Sequence, residues 1–127
     1  MINDARVLTR KHLETLTPKW DTAYEGENFT PTDDWQEVIL LSGNNERFTL
    51  EKTQRNFILQ INVYTFANIG TYKVEKRVEL LEEHYKGIKL ENDKICLQAT
   101  KTDIKNLGKQ DKYIVRVLSV YFKARSK

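Results

Sequence analysis

The spacing of apolar residues changes several times along this chain, and each change marks an element. Over residues 3–16, Ala5, Leu8, His12 and Leu16 recur at intervals of three and four, with Leu13 beside them. That is the period of a helix with one face on a core. Asn3 suits the N-cap and Asp4 the positive end of the helix dipole. Pro18 stops the helix, because the residue before a proline avoids helical angles. His12 falls on the helix face at the edge of the core. Residues 19–33 read as a loop carrying Trp20, Tyr24 and Phe29, at least one of which folds back as a cover on the core. Thr30, Pro31, Thr32 and Asp33 have turn chemistry. Residues 35–41 then read as a strand, with Val38, Ile39, Leu40 and Leu41 apolar on both faces.

Ser42, Gly43, Asn44 and Asn45 predict a turn, and residues 42–55 an extended polar arm. From Phe57 to Phe66 the pattern alternates. Phe57, Leu59, Ile61 and Val63 lie on one side; Ile58, Gln60, Asn62 and Tyr64 on the other, the period of a strand with one buried face. Ala67, Asn68, Ile69 and Gly70 break it. A second helix is predicted from Thr71 as N-cap to Tyr85. Val74, Val78, Leu81 and Tyr85 form its apolar stripe, Leu80 widens it, and Glu82 and Lys86 make an i,i+4 pair. Gly87 closes it, with His84 near that end. Residues 94–100 alternate again, residues 101–111 read as a connection, and residues 113–122 are a strand apolar on both faces, hence central or facing a partner. Helix, strands, helix, strands predicts an α+β domain of two layers, with two helices packed on one face of a mostly antiparallel β-sheet.

The length of 127 residues suits one domain, and a chain of this size folds without disulfides or metals. Cys96, the one cysteine, reads as a small core hydrophobe. The first residues lack an apolar stretch of signal-peptide type, and no run approaches the length of a membrane span. The net charge of +3 hides an asymmetry. Between Trp20 and Glu46 there are seven acids (Asp21, Glu25, Glu27, Asp33, Asp34, Glu37, Glu46) and no Lys or Arg. Residues 101–127 hold eight basic residues against Asp103 and Asp111. Such poles can meet between copies of one protein.

Catalytic chemistry finds little support. Two distant histidines and one cysteine do not have metal-ligand spacing. The glycines at 26, 43, 70, 87 and 108 are isolated, so there is no phosphate-binding loop. Asp33 and Asp34 read as a solvated pair in a turn, not as an acid–base couple. No enzyme activity and no cofactor are expected. A rival reading places Lys101, Lys105, Lys109, Lys112, Arg116, Lys123, Arg125 and Lys127 beside Tyr121 and Phe122 as a strip for single-stranded nucleic acid.

Five segments stand in a definite order: "LETLTP", "TAYEGENFTPTDDWQEVILL", "RNFILQINVYTFANIGTY", "KVEKRVELLEEHYKG" and "KYIVRVLSVYFKAR". Their order and spacing resemble the tail-terminator-like minor tail proteins of long-tailed bacteriophages. The family pattern often has a glycine where this chain has Asn56, and a proline where it has Ala67 and Asn68. The resemblance implies a non-enzymatic virion protein, assembled in the host cytoplasm and seated at the head-proximal end of the tail. It implies a homohexameric ring on the end of the tail tube that stops tube growth and helps join tail to head. Its partners would be further copies of itself, the tail tube protein and a head-completion or connector protein, with no membrane and no small-molecule substrate. The free protein can be monomeric until it meets that template. Another head–tail joining protein of the same fold is the nearest alternative. A ring needs two different patches that meet. From the charge pattern, the candidate subunit or tube interface comprises Asp33, Asp34 and Trp35, the arm residues Arg47, Phe48 and Arg55, and the basic Lys112, Arg116, Lys123 and Arg125.

Overall fold

The computed structural model describes residues 1–30, 34–47 and 53–127. Helix α1 spans Ile2–Glu14 and helix α2 Tyr72–Tyr85. The strands are β1 Asp21–Tyr24, β2 Trp35–Arg47, β3 Thr53–Phe66, β4 Lys89–Glu91, β5 Ile95–Gln110 and β6 Tyr113–Ser126. They form one sheet in the order β1-β2-β3-β6-β5-β4. β1 runs parallel to β2, and the other pairs are antiparallel. The fold is α+β with a mixed sheet.

The period-two pattern of β3 sets the core. Phe57, Leu59, Ile61 and Val63 are buried, and in register with them stand Phe122, Val120, Leu118 and Arg116 of β6. Val38 and Leu40 of β2 and Leu97 and Ala99 of β5 extend the same face. Ala5 and Leu13 of α1 and Val74, Val78, Leu81 and Tyr85 of α2 join these strand residues in one hydrophobic cluster. The helix stripe of residues 74, 78, 81 and 85 is therefore as the spacing predicts. Leu80 is not part of it and stays 37% exposed. Trp20 and Tyr24 pack on the core, as expected of the loop aromatics.

Several boundaries differ. Helix α1 has Met1 at its N-cap, and Asn3 lies inside the first turn; Leu16 is buried beyond the helix end. The loop 19–33 contains β1, whose four residues lack an alternation strong enough to predict it; residues 31–33 lie outside the described residues. Residues 42–45 do not turn the chain. They sit at a bulge within β2, which continues to Arg47, and β3 begins at Thr53. The arm thus shrinks to residues 48–52, outside the described set. Val38 and Leu40 face the core, but Leu41 is 43% exposed, so the end of that run is not buried on both faces. Residues 101–111 are no connection: β5 runs through them to Gln110, and the reversal falls at Asp111, which has φ 56°. Their polarity hid a strand that packs little against the core. Cys96 lies on the opposite face from Ile95 and Leu97 and is only half-buried, so it is not a core residue. Glu82 takes a hydrogen bond from Thr102 (2.8 Å), while Lys86 leaves the helix in extended conformation; the predicted i,i+4 pair is not among the ion pairs of the described residues.

Candidate functional site

The sheet has a second face, away from the main core, and the predicted Trp35, Lys123 and Arg125 lie on it. Strand alternation puts Trp35, Glu37, Ile39 and Leu41 of β2 there, opposite Tyr64, Asn62, Gln60 and Ile58 of β3. Val115, Val117, Ser119 and Tyr121 of β6 continue each row. Val115 and Val117 are buried yet stand outside the main core cluster. β6 is therefore apolar on both faces because it is a central strand with a second, smaller apolar layer.

Aromatic rings cap one end of this face. Trp35 stacks on Tyr64 at 4.1 Å and 5° between planes, and Phe29 tilts against Trp35 at 5.3 Å. Tyr113 meets the edges of Trp35 and Tyr64 and stacks on Phe66 at 5.3 Å. Lys112 sits over Phe66 and Tyr113, 5.9 and 5.6 Å from their centroids. The ring of Trp35 thus anchors the chain entering β2, although its Nε1 is buried with no hydrogen-bond partner among the described residues. Beside the rings, Asn62 donates to Glu37 (2.9 Å), Gln60 donates to Asn62 (3.0 Å) and the Tyr64 hydroxyl donates to Glu37 (3.3 Å). Partial burial and the Glu37 carboxylate raise the Tyr64 phenol above its ordinary pKa.

The acidic pole is largely spoken for within the chain. Glu25 pairs with Arg6 (3.0 Å) and accepts from the Leu40 amide (2.9 Å); that amide bond, more than the arginine, lowers its pKa. Glu27 pairs with Arg10 (3.2 Å). Asp34 is not solvated, as its sequence position suggested, but 8% exposed: it pairs with Lys73 and accepts from the Phe66 amide at 3.3 Å. It ties β2 to β3 and α2, because a buried carboxylate must have donors. Sequence alone could not reveal this, since both donors lie more than thirty positions away.

The basic pole divides. Arg116 is only 7% exposed and bonds Asn106 (2.7 Å) and Glu75 (3.3 Å), so it is a structural residue and not an interface one. Arg55 is half-buried at the start of β3, and its Nε is sealed with no hydrogen-bond partner among the described residues. Lys112, Lys123 and Arg125 are exposed on β6 or the turn before it. Lys101 lies over the ring of Tyr121 at 4.4 Å. Arg47 ends β2, and Asp33 and Phe48 fall outside the described residues. What the prediction missed is the outer part of β5. Residues 103–110 are all exposed, with Ile104 at 38% and Leu107 at 46%, and Lys105 and Lys109 are in none of the ion pairs among the described residues. The apolar positions 104 and 107 were the available signal, but they are three apart, out of strand alternation, with the bulge between Asn106 and Gly108 falling at 107.

Between the helices and β1–β2 lies a cleft of about 370 Å³ lined by Trp20, Thr22, Gln36 and Arg77 among others. Arg77 donates to Gln36 (3.1 Å) and to the Pro18 carbonyl (2.7 Å) beneath the Trp20 ring. Burial lowers its pKa to about 10. This arginine fastens α2 to the loop before β1. Among the described residues no cluster of His, Cys, Asp and Glu could hold a metal, and no helix is long and apolar enough to cross a membrane.

No protein-family model matches the sequence, and no curated protein matches it. Solved structures do: 19 chains match. In one of them the superposition covers 100% of this chain and 96% of the other, with a TM-score of 0.73 at 12% identity. At that identity the likeness is one of fold.

Proposed function

We propose that this chain is a non-enzymatic structural protein of a bacteriophage tail, a terminator that assembles as a ring on the end of the tail tube, stops its growth and helps join tail to head. In this reading both helices pack on one face of a mostly antiparallel sheet in the tail-terminator manner, and the other face and its edges are left to partners: further copies, the tube protein and a head-completion or connector protein. The sequence pattern described above motivates the family. The observation that carries the assembly role is the outer part of β5, an exposed strand with Lys105 and Lys109 in no ion pair among the described residues and with the exposed apolar side chains of Ile104 and Leu107. A strand that builds so little of its own core is an assembly surface more readily than a folding element. Another head–tail joining protein of the same fold would use the same surface.

The nucleic-acid reading draws on Lys101, Lys105, Lys109 and Lys123. It fits less well, because Phe122 is buried in the core and Tyr121 is already covered by Lys101. A titration of fluorescent single-stranded DNA against salt separates the readings. A basic groove gives binding that weakens steeply as salt rises; a terminator gives no specific binding but caps tube ends, seen as tubes that cease to lengthen when the protein is added.

A further inference from the structure

The two margins of the sheet are stepped, and the steps are complementary. β1 pairs only with residues 35–38 of β2, so among the described residues β2 has no strand neighbour on its outer side from residue 39 onward. β4 pairs only with residues 96–98 of β5, so residues 101–110 of β5 have none on theirs among the described residues. Followed across the ladders, Ala23 stands level with Glu37, Asn62, Val117 and Lys105. At that level β1 projects on one margin, and the other margin is a strand short. Toward the far end of β2 the relation reverses: Glu46, Gln54, Arg125 and Cys96 are level, β4 projects and the β1 side is short. Each margin therefore has a projection where the opposite margin has a recess.

We infer that copies of this chain join margin to margin, with β1 of one copy added antiparallel to the open part of β5 of the next. This rests on the ring reading above and specifies its contact. β1 runs with β2 and β6, opposite to β5, so the direction is right for antiparallel addition. A step matched at the same level needs no slide along the strands, so the contact lacks the rise of a helical filament and closes into a ring where its rotation closes. Charge agrees: Lys105 comes level with Ala23 and shares a sheet face with Asp21, its diagonal neighbour two positions along β1. Lysines on an edge discourage pairing with an identical basic edge, while leaving an acidic strand acceptable. The carboxylate of Glu25, on the Leu40 amide just past the end of β1, fills the inner corner of the step.

The test is a disulfide across the junction. Directly opposed residues on neighbouring strands have Cβ atoms about 4.5–5.5 Å apart, within reach of a disulfide after small adjustment or of a short bis-maleimide. In a Cys96→Ser background, Ala23→Cys with Lys105→Cys should give a crosslinked ladder ending at the ring mass read by native mass spectrometry, with and without tail tubes. Ala23→Cys with Glu79→Cys, on the exposed side of α2, should not. A ring of the same mass without the crosslink overturns the β1–β5 contact and leaves the ring standing. A monomer that neither self-associates nor binds tubes overturns both. Should the double cysteine variant misfold, Lys105→Glu should weaken the ring at physiological salt, and Asp21→Lys should restore its affinity; a ring indifferent to both substitutions overturns the contact.

Discussion

His12 and His84 make a reciprocal clasp between the C-terminal ends of the two helices. Each Nε2 lies 2.7 Å from the other's backbone carbonyl, so each ring must carry its proton on Nε2 and donate it. The rings stack at 4.0 Å and 12°. Burial holds the pKa of His12 below its ordinary value; the His84 carbonyl opposes this and the His84 ring reinforces it. The folded state thus binds fewer protons at His12 than the unfolded chain. Its contribution to stability is full above the unfolded value near 6.5 and is lost as pH falls below it toward the folded value. Urea midpoints measured at pH 7.5 and 5.5 should show lower stability at the acid pH, with a smaller difference for His12→Phe. An equal or larger difference in that variant would contradict the role given to His12. A second residue-scale prediction concerns Tyr85, whose hydroxyl donates to the Thr9 carbonyl at 2.8 Å in the buried space between the helices. Tyr85→Phe should cost about 1 kcal/mol in chemical denaturation, the net worth of one hydrogen bond.

At the scale of elements, what could be read in the sequence was what packs. The stripe of α2 and the alternation of β3 are legible because burial on one face leaves a period of 3.6 or 2 in the chain. The pair Leu80 and Leu81 shows the limit. Both are leucines, but only Leu81 meets the core. Leu81→Ala should cost about 2–5 kcal/mol, and Leu80→Ala should stay within roughly 0.5 kcal/mol of wild type; comparable losses at both sites in urea titrations would contradict the orientation of α2. Elements with little core of their own were not legible. β1 and β4 are too short to establish a period. The outer half of β5 is held by its ladder to β6 and not by burial, so its sequence looks like a loop. The candidate surface was partly legible for the same reason. Trp35, Lys112, Lys123 and Arg125 were named from composition, whereas the burial of Arg116 and Asp34 depends on partners far away in sequence, Glu75 and Asn106 for one and Lys73 and Phe66 for the other. Arg116→Ala should therefore lower stability by about 1–3 kcal/mol, since it strips hydrogen bonds from a buried site. Lys123→Ala should leave stability nearly unchanged.

At the scale of the whole molecule, the sequence suggested an acidic pole meeting a basic one, and the structure changes the balance. Glu25, Glu27 and Asp34 find cations within the chain, while Lys105 and Lys109 are in no ion pair among the described residues. Assembly by charge alone would be weak and strongly screened by salt. A stepped sheet margin adds directional backbone pairing, which salt does not screen. The proposed ring should accordingly lose some affinity between 0.05 and 0.5 M NaCl, as screening of the lysines predicts, without dissolving. Complete dissociation over that range would point to a contact made only of charges.

Size-exclusion chromatography with light scattering, with and without tail tubes, tests the central claim most directly. The account predicts closed rings of one size, or monomers that gather on tube ends and halt their growth. A monomer that ignores tubes at every concentration would contradict it.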